Sequence, residues 1–365
     1  MTVTLQTVLN STPKSIQVQP AVYRNIPWMQ NNHLAQALPD HFSAEQIRKW
    51  ENIFPLKDLL CDTSSTDKTL IIDHAMNQWF LPSPTMLPLA DTFSRMITRT
   101  CLSPEHASMF VFYGDPGSGK RTSAKMLLSH FPKVIVHDSL PDSGKNYIVQ
   151  VPVLYAESAQ DRSVKGLLQN IQNSLNSSLR LFSRQTPIPN SISLDDALLS
   201  NHVNLLVLYL HALPTAPSAI HSILDHLFHF VSIGISVMLI VDRNNRLFLI
   251  QSFSEAMTLL SEQQILLPPL TSDSYANMFL EKIWSNLAVD TPPLSESIKK
   301  SLLESTCGNR ALVIRTMKEI QYRTLILGKT SFTEKELNAA LLDVTADLTK
   351  FLDPAQSAPP DNSEN

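Results

Sequence analysis

Glycine is scarce in this chain. Its 365 residues include 8, about 2%, against roughly 7% in an average protein. Cysteine is scarcer: Cys61, Cys101 and Cys307 are few, odd in number and far apart. That excludes a disulfide framework and fits no zinc site. Charge is thin as well, 17% of residues against roughly 25% in an average domain, which favours surfaces covered by partners. Lys and Arg total 29 and Asp and Glu 33, a net charge of −4. The whole chain therefore carries no basic signature for nucleic acid, although a local basic track on an oligomer is compatible with it. Long apolar runs are missing too. The longest, Val231 to Val241, is too short to span a bilayer and contains Ser232 and Ser236. The opening MTVTLQTVLNSTPKS has no signal-peptide architecture. The expectation is a soluble, cytoplasmic protein with no membrane role.

What is present is a large apolar share, 43%, enough for a sizeable core. Residues 1–65, rich in Pro, Asn and Gln, read as an extended N-terminal arm with one helical stretch near Ala44–Asn52. Residues 66–270 read as an α/β domain. A strand at Met109–Tyr113 precedes a helix at Lys120–Ser129. A strand over Asn146–Tyr155 precedes a helix over Ser163–Phe182, whose apolar residues at 164, 167, 168, 171, 175 and 179 keep helical spacing. Asn204–Leu210 and Ile235–Val241 are continuously apolar and flank a helix at Pro217–Phe230. Ile265–Leu270 is a last short strand. Continuously apolar strands between helices indicate a buried parallel sheet. Residues 271–352 read as a helical lid of four helices, the last opened by a capping box from Thr333 to Glu336. Residues 353–365 read as a disordered tail.

Three of the eight glycines, Gly114, Gly117 and Gly119, fall within six residues. The segment reads strand, Gly114-Asp115-Pro116-Gly117-Ser118-Gly119-Lys120-Arg121-Thr122, helix. A phosphate loop requires Gly, four residues, Gly, Lys, then Ser or Thr. Gly114, Gly119 and Lys120 fit. The backbone N–H groups of such a loop and the following helix N-terminus bind polyphosphate, and Lys120 would reach its β- and γ-phosphates. The Mg²⁺ hydroxyl is missing, because Arg121 stands there. Thr122 follows one residue late, about 100° around the helix. A Gly-rich turn without a ligand is the plainer alternative.

Hydrolysis on this fold also needs a strand ending in Asp, usually followed by Glu. The strand from Asn204 has Tyr209 and Leu210 where the acids belong. Val237 to Asp242 is a rival, apolar residues ending in an acid. Only one short strand follows it, however, whereas this class places a polar-tipped sensor strand after the acidic one. Asp242 is therefore assigned to the sensor position, with a plain turn at 242–245 as the alternative.

At this point the residues resemble those of the TnsC and TniB group, AAA+ ATPase regulators of DNA transposition. Asn32-His-Leu-Ala-Gln-Ala-Leu-Pro39 is similar to that group's N-terminal Asn-Pro…Glu-Ala-Leu-Pro segment. Trp79-Phe80-Leu81-Pro82 and the helix Leu87 to Arg99 resemble its aromatic-Phe-x-Pro element. Phe131 to His137 resembles the segment after the first helix. Gly234 to Ile240 is similar to its sensor strand, with Val241-Asp242-Arg243 in place of Gly-Thr-Pro and Arg246 at a following basic position. Cys307-Gly308-Asn309-Arg310 resembles the start of the lid helix, where the group places a second sensor. The likeness covers roughly residues 20–350. It implies an AAA+ fold with helices on both faces of the sheet and a C-terminal lid. It also implies ATP bound by residues 114–122 with Asp242 and Arg310, and an oligomer of this chain, or of this chain with an intact paralogue, on target double-stranded DNA. Transposase subunits and a TniQ-like target selector are the implied partners. Since the magnesium hydroxyl, both acids and the polar sensor are changed together, the expectation is a pseudo-ATPase with little or no hydrolysis and doubtful Mg²⁺. Arg121 is a candidate for supplying fixed positive charge in place of the metal. The alternatives are a weak ATPase using Asp242 and Thr122, and a nucleotide-independent interaction scaffold.

Other constellations read as ordinary structure. His221, His226 and His229 lie on one helix and lack an evident acidic ligand. Asp195-Asp196 fits a helix N-cap. Arg310, Arg315, Lys318 and Arg323 follow a rough helical spacing and can face nucleotide, DNA or solvent. Lys165 and Arg180 are similar. The tryptophans Trp28, Trp50 and Trp79 can pack on their own domain or on a partner.

Overall fold

A computed structural model describes residues 36–37, 72, 81, 83–128, 135–137, 148–159, 161–180, 192–211, 213–214, 216–246 and 264–352. Apart from residues 36–37, the N-terminal arm with Trp28 and Trp50 lies outside the described residues. So do Trp79, the 183–191 stretch and the tail after 352. The chain divides into two compact units. One takes Met1–Arg48, Pro82–Pro116 and Lys120–Leu267; the other takes Lys49–Leu81, Gly117–Gly119 and Pro268–Asn365.

The first unit is built on five parallel strands. They are β2 (Met109–Gly114), β5 (Val153–Glu157), β6 (Leu205–Leu210), β7 (Ser236–Asp242) and β8 (Gln264–Leu267), in the order β5-β6-β7-β2-β8. All four pairings are parallel. Parallel neighbours need crossovers, and the helices supply them. These are α2 (Lys120–Leu128), α3 (Val164–Arg180), α4 (Leu194–Ser200) and α5 (Pro217–Ser232), while α1 (Met86–Leu102) precedes the first of the five strands. Strand residues alternate faces. Val111, Leu206, Leu208, Leu239 and Val241 face one way and pack with Leu167, Ile171 and Leu175 of α3 and Ile220, Leu224 and Leu227 of α5. The opposite face meets α1, whose Met96 lies beside Phe110 of β2. Both sides of the sheet are thus covered by helices. That explains why its strands are apolar at nearly every position, where a half-exposed strand would alternate.

One expected element is two. The apolar run 146–155 divides into β4 (Ile148–Gln150) and β5. β4 runs antiparallel to β3 (Ile135–His137), which also pairs with β1 (Gln36–Ala37) in a separate three-stranded sheet. The switch falls at Pro152. Proline has no N–H to give a ladder, and its carbonyl instead accepts from the N–H groups of Asn204 and Leu205 at the start of β6.

The second unit holds α6 (Ser274–Ser285), α7 (Glu296–Ser305), α8 (Arg310–Ile326) and α9 (Glu334–Leu352). Phe279, Ile283, Trp284, Ile298, Leu302, Val313, Met317, Ile320, Leu337 and Leu341 form its core. Each helix begins at a side-chain cap: Asp273 for α6, Ser295 for α7 and Asn309 for α8. At α9 the capping box is present in full. The Thr333 hydroxyl accepts from the Glu336 N–H, and Glu336 accepts from the Thr333 N–H at 2.7 Å. Lys329 also donates to Glu336, and together these bonds hold its carboxyl at about 2.

Candidate functional site

Gly114 ends β2 in register with Asp242 of β7 on one side and Leu267 of β8 on the other. The loop leaves from there, and α2 begins at Lys120. Gly117 and Gly119 adopt φ of +75° and +96°, conformations that side chains other than glycine rarely hold. This explains two of the three clustered glycines. Asp115 is half-buried, Pro116 is exposed, and Lys120 is 3% exposed. The Lys120 ammonium donates to the Asp115 carbonyl at 2.8 Å and to Asp242 Oδ1 at 2.7 Å. Asp242 thus stands beside the loop lysine. Arg243, next in sequence, approaches Asp115 Oδ1 at 3.8 Å.

The tip of β6 is Tyr209 and Leu210, with no acid. Its neighbour β5 carries an acid that the sequence reading passed over. Glu157 is in register with Tyr209. Arg121 Nε donates to Glu157 Oε1 at 2.9 Å, the Tyr155 hydroxyl donates to the same oxygen at 2.8 Å, and Lys125 lies 3.5 Å from it. Burial raises the Glu157 carboxyl, but the bonds from Tyr155 and Arg121 and the charges of Arg121 and Lys125 outweigh it, and the group ends lower than usual. Burial and the Glu157 bond push the Tyr155 phenol far up. Burial and then Arg121 push Lys125 down. Burial and then the charge of Asp242 raise Tyr209, over whose ring the Arg121 guanidinium sits at 5.8 Å. In this structure the Arg121 charge, a candidate substitute for a metal, is paired with Glu157. A carboxylate on the nearby strand tip offers its guanidinium a charge-assisted bond. Thr122 is exposed on α2. The polar end of an otherwise apolar run, Val153-Leu-Tyr-Ala-Glu157, was the available signal for Glu157.

Within the helical unit, Gly117–Gly119 meets the first turn of α8. Ala311 N–H donates to the Gly117 carbonyl at 3.0 Å. A Cβ on Gly117 would lie 2.5 Å from Asn309 Oδ1, the oxygen that caps α8 by accepting from Ala311 and Leu312. Arg310 is 8% exposed. Its Nη1 donates to Pro268 O at 2.7 Å and to Ser118 O at 3.1 Å, and its guanidinium lies over the Tyr275 ring. Ser118 Oγ is buried without a hydrogen-bond partner. An orphaned hydroxyl inside a turn with two left-handed glycines is a donor set that suits a phosphate oxygen.

The remaining candidates fall into structural roles. Ser193 caps α4 by accepting from the Asp196 N–H, so Asp195 and Asp196 lie in its first turn rather than at the cap. Asp195 Oδ2 accepts from His229 Nε2 at 2.7 Å. No group of three potential ligands is placed to hold a metal ion among the described residues. Arg323 pairs with Glu319 and Asp343. Among the described residues no helix is long and apolar enough to cross a membrane.

Fold and site together define a phosphate-loop α/β protein with a parallel sheet, whose acids stand on the strands either side of β6. No protein-family model matches the chain, and no curated protein matches it. Solved structures with a similar chain path include the ORC2 protein of Aeropyrum pernix in its ADPNP–ADP complexes. That one is 13% identical over 74% of this chain and 71% of the other, with a TM-score of 0.47. The ADP form of ORC2 is 14% identical over 69% and 65%, with a TM-score of 0.43. The ORC1 protein of the same organism in complex with DNA is 13% identical over 69% and 63%, with a TM-score of 0.42.

Proposed function

We propose that this chain is an AAA+ regulator of DNA transposition that assembles on duplex DNA and hydrolyses ATP weakly or not at all. The observation that carries the catalytic half is the tip of β6. Tyr209 and Leu210 occupy it, while Asp242 is bonded to Lys120 and Glu157 to Arg121. No carboxylate is left to orient a water from the position this chemistry uses. The residues fit a polyphosphate better than a magnesium ion. Lys120, the left-handed glycines and the Ser118 hydroxyl serve the first. The second would need a hydroxyl where Arg121 stands. ATP, when bound, would supply a polyanion to be gripped, and this chain's residues would hold it without activating water.

The regulatory half rests on the ordered segments that resemble TnsC and TniB across roughly residues 20–350. On that reading DNA is held through its phosphates without base readout, because a protein that accepts many targets must ignore sequence. Transposase subunits and a TniQ-like selector are the partners, and the oligomer contains this chain alone or with an intact paralogue. Electron microscopy of the full chain with duplex DNA, with and without ATP, tests it. Ordered assemblies on DNA are expected, and isolated particles under every condition would overturn the reading.

One observation favours a second reading, a weak ATPase. Asp242 Oδ1 lies 2.7 Å from the Lys120 ammonium, so a carboxylate is present at the loop. Phosphate release above background that Lys120→Ala abolishes would select this reading. Release equal in both proteins would select the first.

A further inference from the structure

β5 and β6 each carry a polar side chain just past their carboxyl ends. Ser158 follows Glu157, and His211 follows Leu210. The two are bonded, Ser158 Oγ to His211 Nδ1 at 2.7 Å. The Ser158 N–H also donates to the Tyr209 carbonyl at 2.9 Å, which ties the serine to the tip of β6. The serine is half-buried and the histidine exposed. A hydrogen bond at Nδ1 fixes the orientation of an imidazole and leaves Nε2 for another partner.

Register brings His211 to the height of the loop lysine's partner. Gly114 of β2 is opposite Asp242 of β7, and Leu210 of β6 is opposite Val241. His211, one residue on, therefore follows at the level of Asp242, the acid bonded to Lys120. Alternate strand residues share a face, and the rings of Tyr209 and His211 have centroids 6.1 Å apart. Tyr209 lies under the Arg121 guanidinium at 5.8 Å and within reach of the Asp242 charge. That face is thus the one turned toward the charged groups of the loop. The neighbouring groups are poor proton acceptors. Asp242 already accepts from Lys120, and Glu157 from Arg121. Burial, and then the Asp242 charge, raise the Tyr209 phenol and keep it protonated.

We propose that His211 is the catalytic base of a slow ATP hydrolysis and that Ser158 is its positioning residue. The inference rests on the weak-ATPase reading and supplies the base that reading lacks. Nδ1–H donates to Ser158 Oγ, so Nε2 carries the lone pair. A water oxygen attacks the γ-phosphorus of ATP as its proton passes to Nε2. The bond from that phosphorus to the β,γ-bridging oxygen breaks, and ADP leaves with the electron pair. The imidazolium then gives the proton to solvent. Only water and ATP are consumed.

Phosphate release by the full chain is measured at saturating ATP, and nucleotide affinity separately with a fluorescent ATP analogue. Lys120→Ala sets the background. His211→Ala should lower the Lys120-dependent release about 100-fold, the lower end of what a general base supplies, at unchanged affinity for the analogue. Added imidazole should restore part of the loss. Ser158→Ala should lower release about 5-fold, the worth of one neutral hydrogen bond, and should have no further effect once His211 is alanine. Wild-type release no greater than that of Lys120→Ala removes the weak-ATPase reading and this inference with it. Lys120-dependent release that His211→Ala leaves unchanged overturns the inference and leaves that reading standing. A loss that imidazole does not repair makes His211 structural and also overturns it.

Discussion

At the stem of the phosphate loop, Lys120 is fixed by charge, its ammonium shared between Asp242 and the Asp115 carbonyl. At the tip, Gly117–Gly119 is fixed by backbone groups and by the first turn of α8, through Ala311 and Arg310. The stem belongs to a unit in which a largely buried ion pair sets the position of the lysine. The tip belongs to a unit whose geometry leaves little room for change, since a Cβ on Gly117 would already collide with Asn309. The shape of the tip depends on glycines and on a helix cap rather than on charge.

The largest expected effect breaks the geometric side. Gly308 has φ of +66°, and a Cβ there would lie 2.1 Å from the Leu270 carbonyl oxygen. Backbone cannot retreat as a side-chain end can, so Gly308→Ala combines left-handed strain with a hard clash. We expect a loss of about 3–5 kcal/mol. Hydrogen exchange across 268–326 should accelerate while exchange across the strands 205–210 and 236–242 stays as in the wild type. Next comes the charged side. Asp242→Ala strands a nearly buried ammonium and should lower stability by about 3 kcal/mol, read from the urea midpoint and from exchange across α2. Lys120→Met should be milder, about 1 kcal/mol, because Asp242 at 19% exposure can turn to water. Equal losses for the two would mean that the pair is held by something other than burial of the lysine.

A smaller effect tests the cap. Asn309→Ala removes the acceptor for two N–H groups of α8 and should remove about 1 kcal/mol. It also opens the space facing Gly117. If the cap holds the tip, exchange at 117–119 should rise with that of α8; if the loop holds itself, only α8 should change.

These residues also show what a sequence can tell. The helices and most strands were legible because continuous apolar runs and helical spacing are local patterns, and the capping box at Thr333 and Glu336 is local too. The strand expected over 146–155 was misread for the opposite reason. A run of apolar residues does not reveal that its two halves pair with different sheets. Glu157 was missed because its importance depends on β5 lying beside β6, a neighbour set by topology and separated in sequence by α3 and α4. Arg121 was placed at the right position in the loop, but its side chain answers to Glu157, 36 residues away.

Acid titration sharpens the comparison further, because each unit has a carboxylate held below its ordinary value by bonds made in the folded state. For Glu157 burial opposes the ionised form, and Tyr155 and Arg121 overcome it. For Glu336 the Lys329 bond and then the Thr333 bonds hold the carboxyl at about 2, against 4.5 for the free side chain. A depressed carboxyl contributes its stabilisation fully above the unfolded value, and that contribution is lost as pH falls through the folded one. The α9 capping box should therefore be intact above pH 4.5 and lose its contribution between there and about 2. Carboxyl ¹³C titration of Glu336 should show that low midpoint, and Lys329→Ala should move it upward. The two units then separate by salt. Glu336 is bonded at the surface by an ammonium, and its midpoint should rise as added salt screens that charge. Glu157 is partly buried beneath Tyr155 and Arg121, and its midpoint should move less.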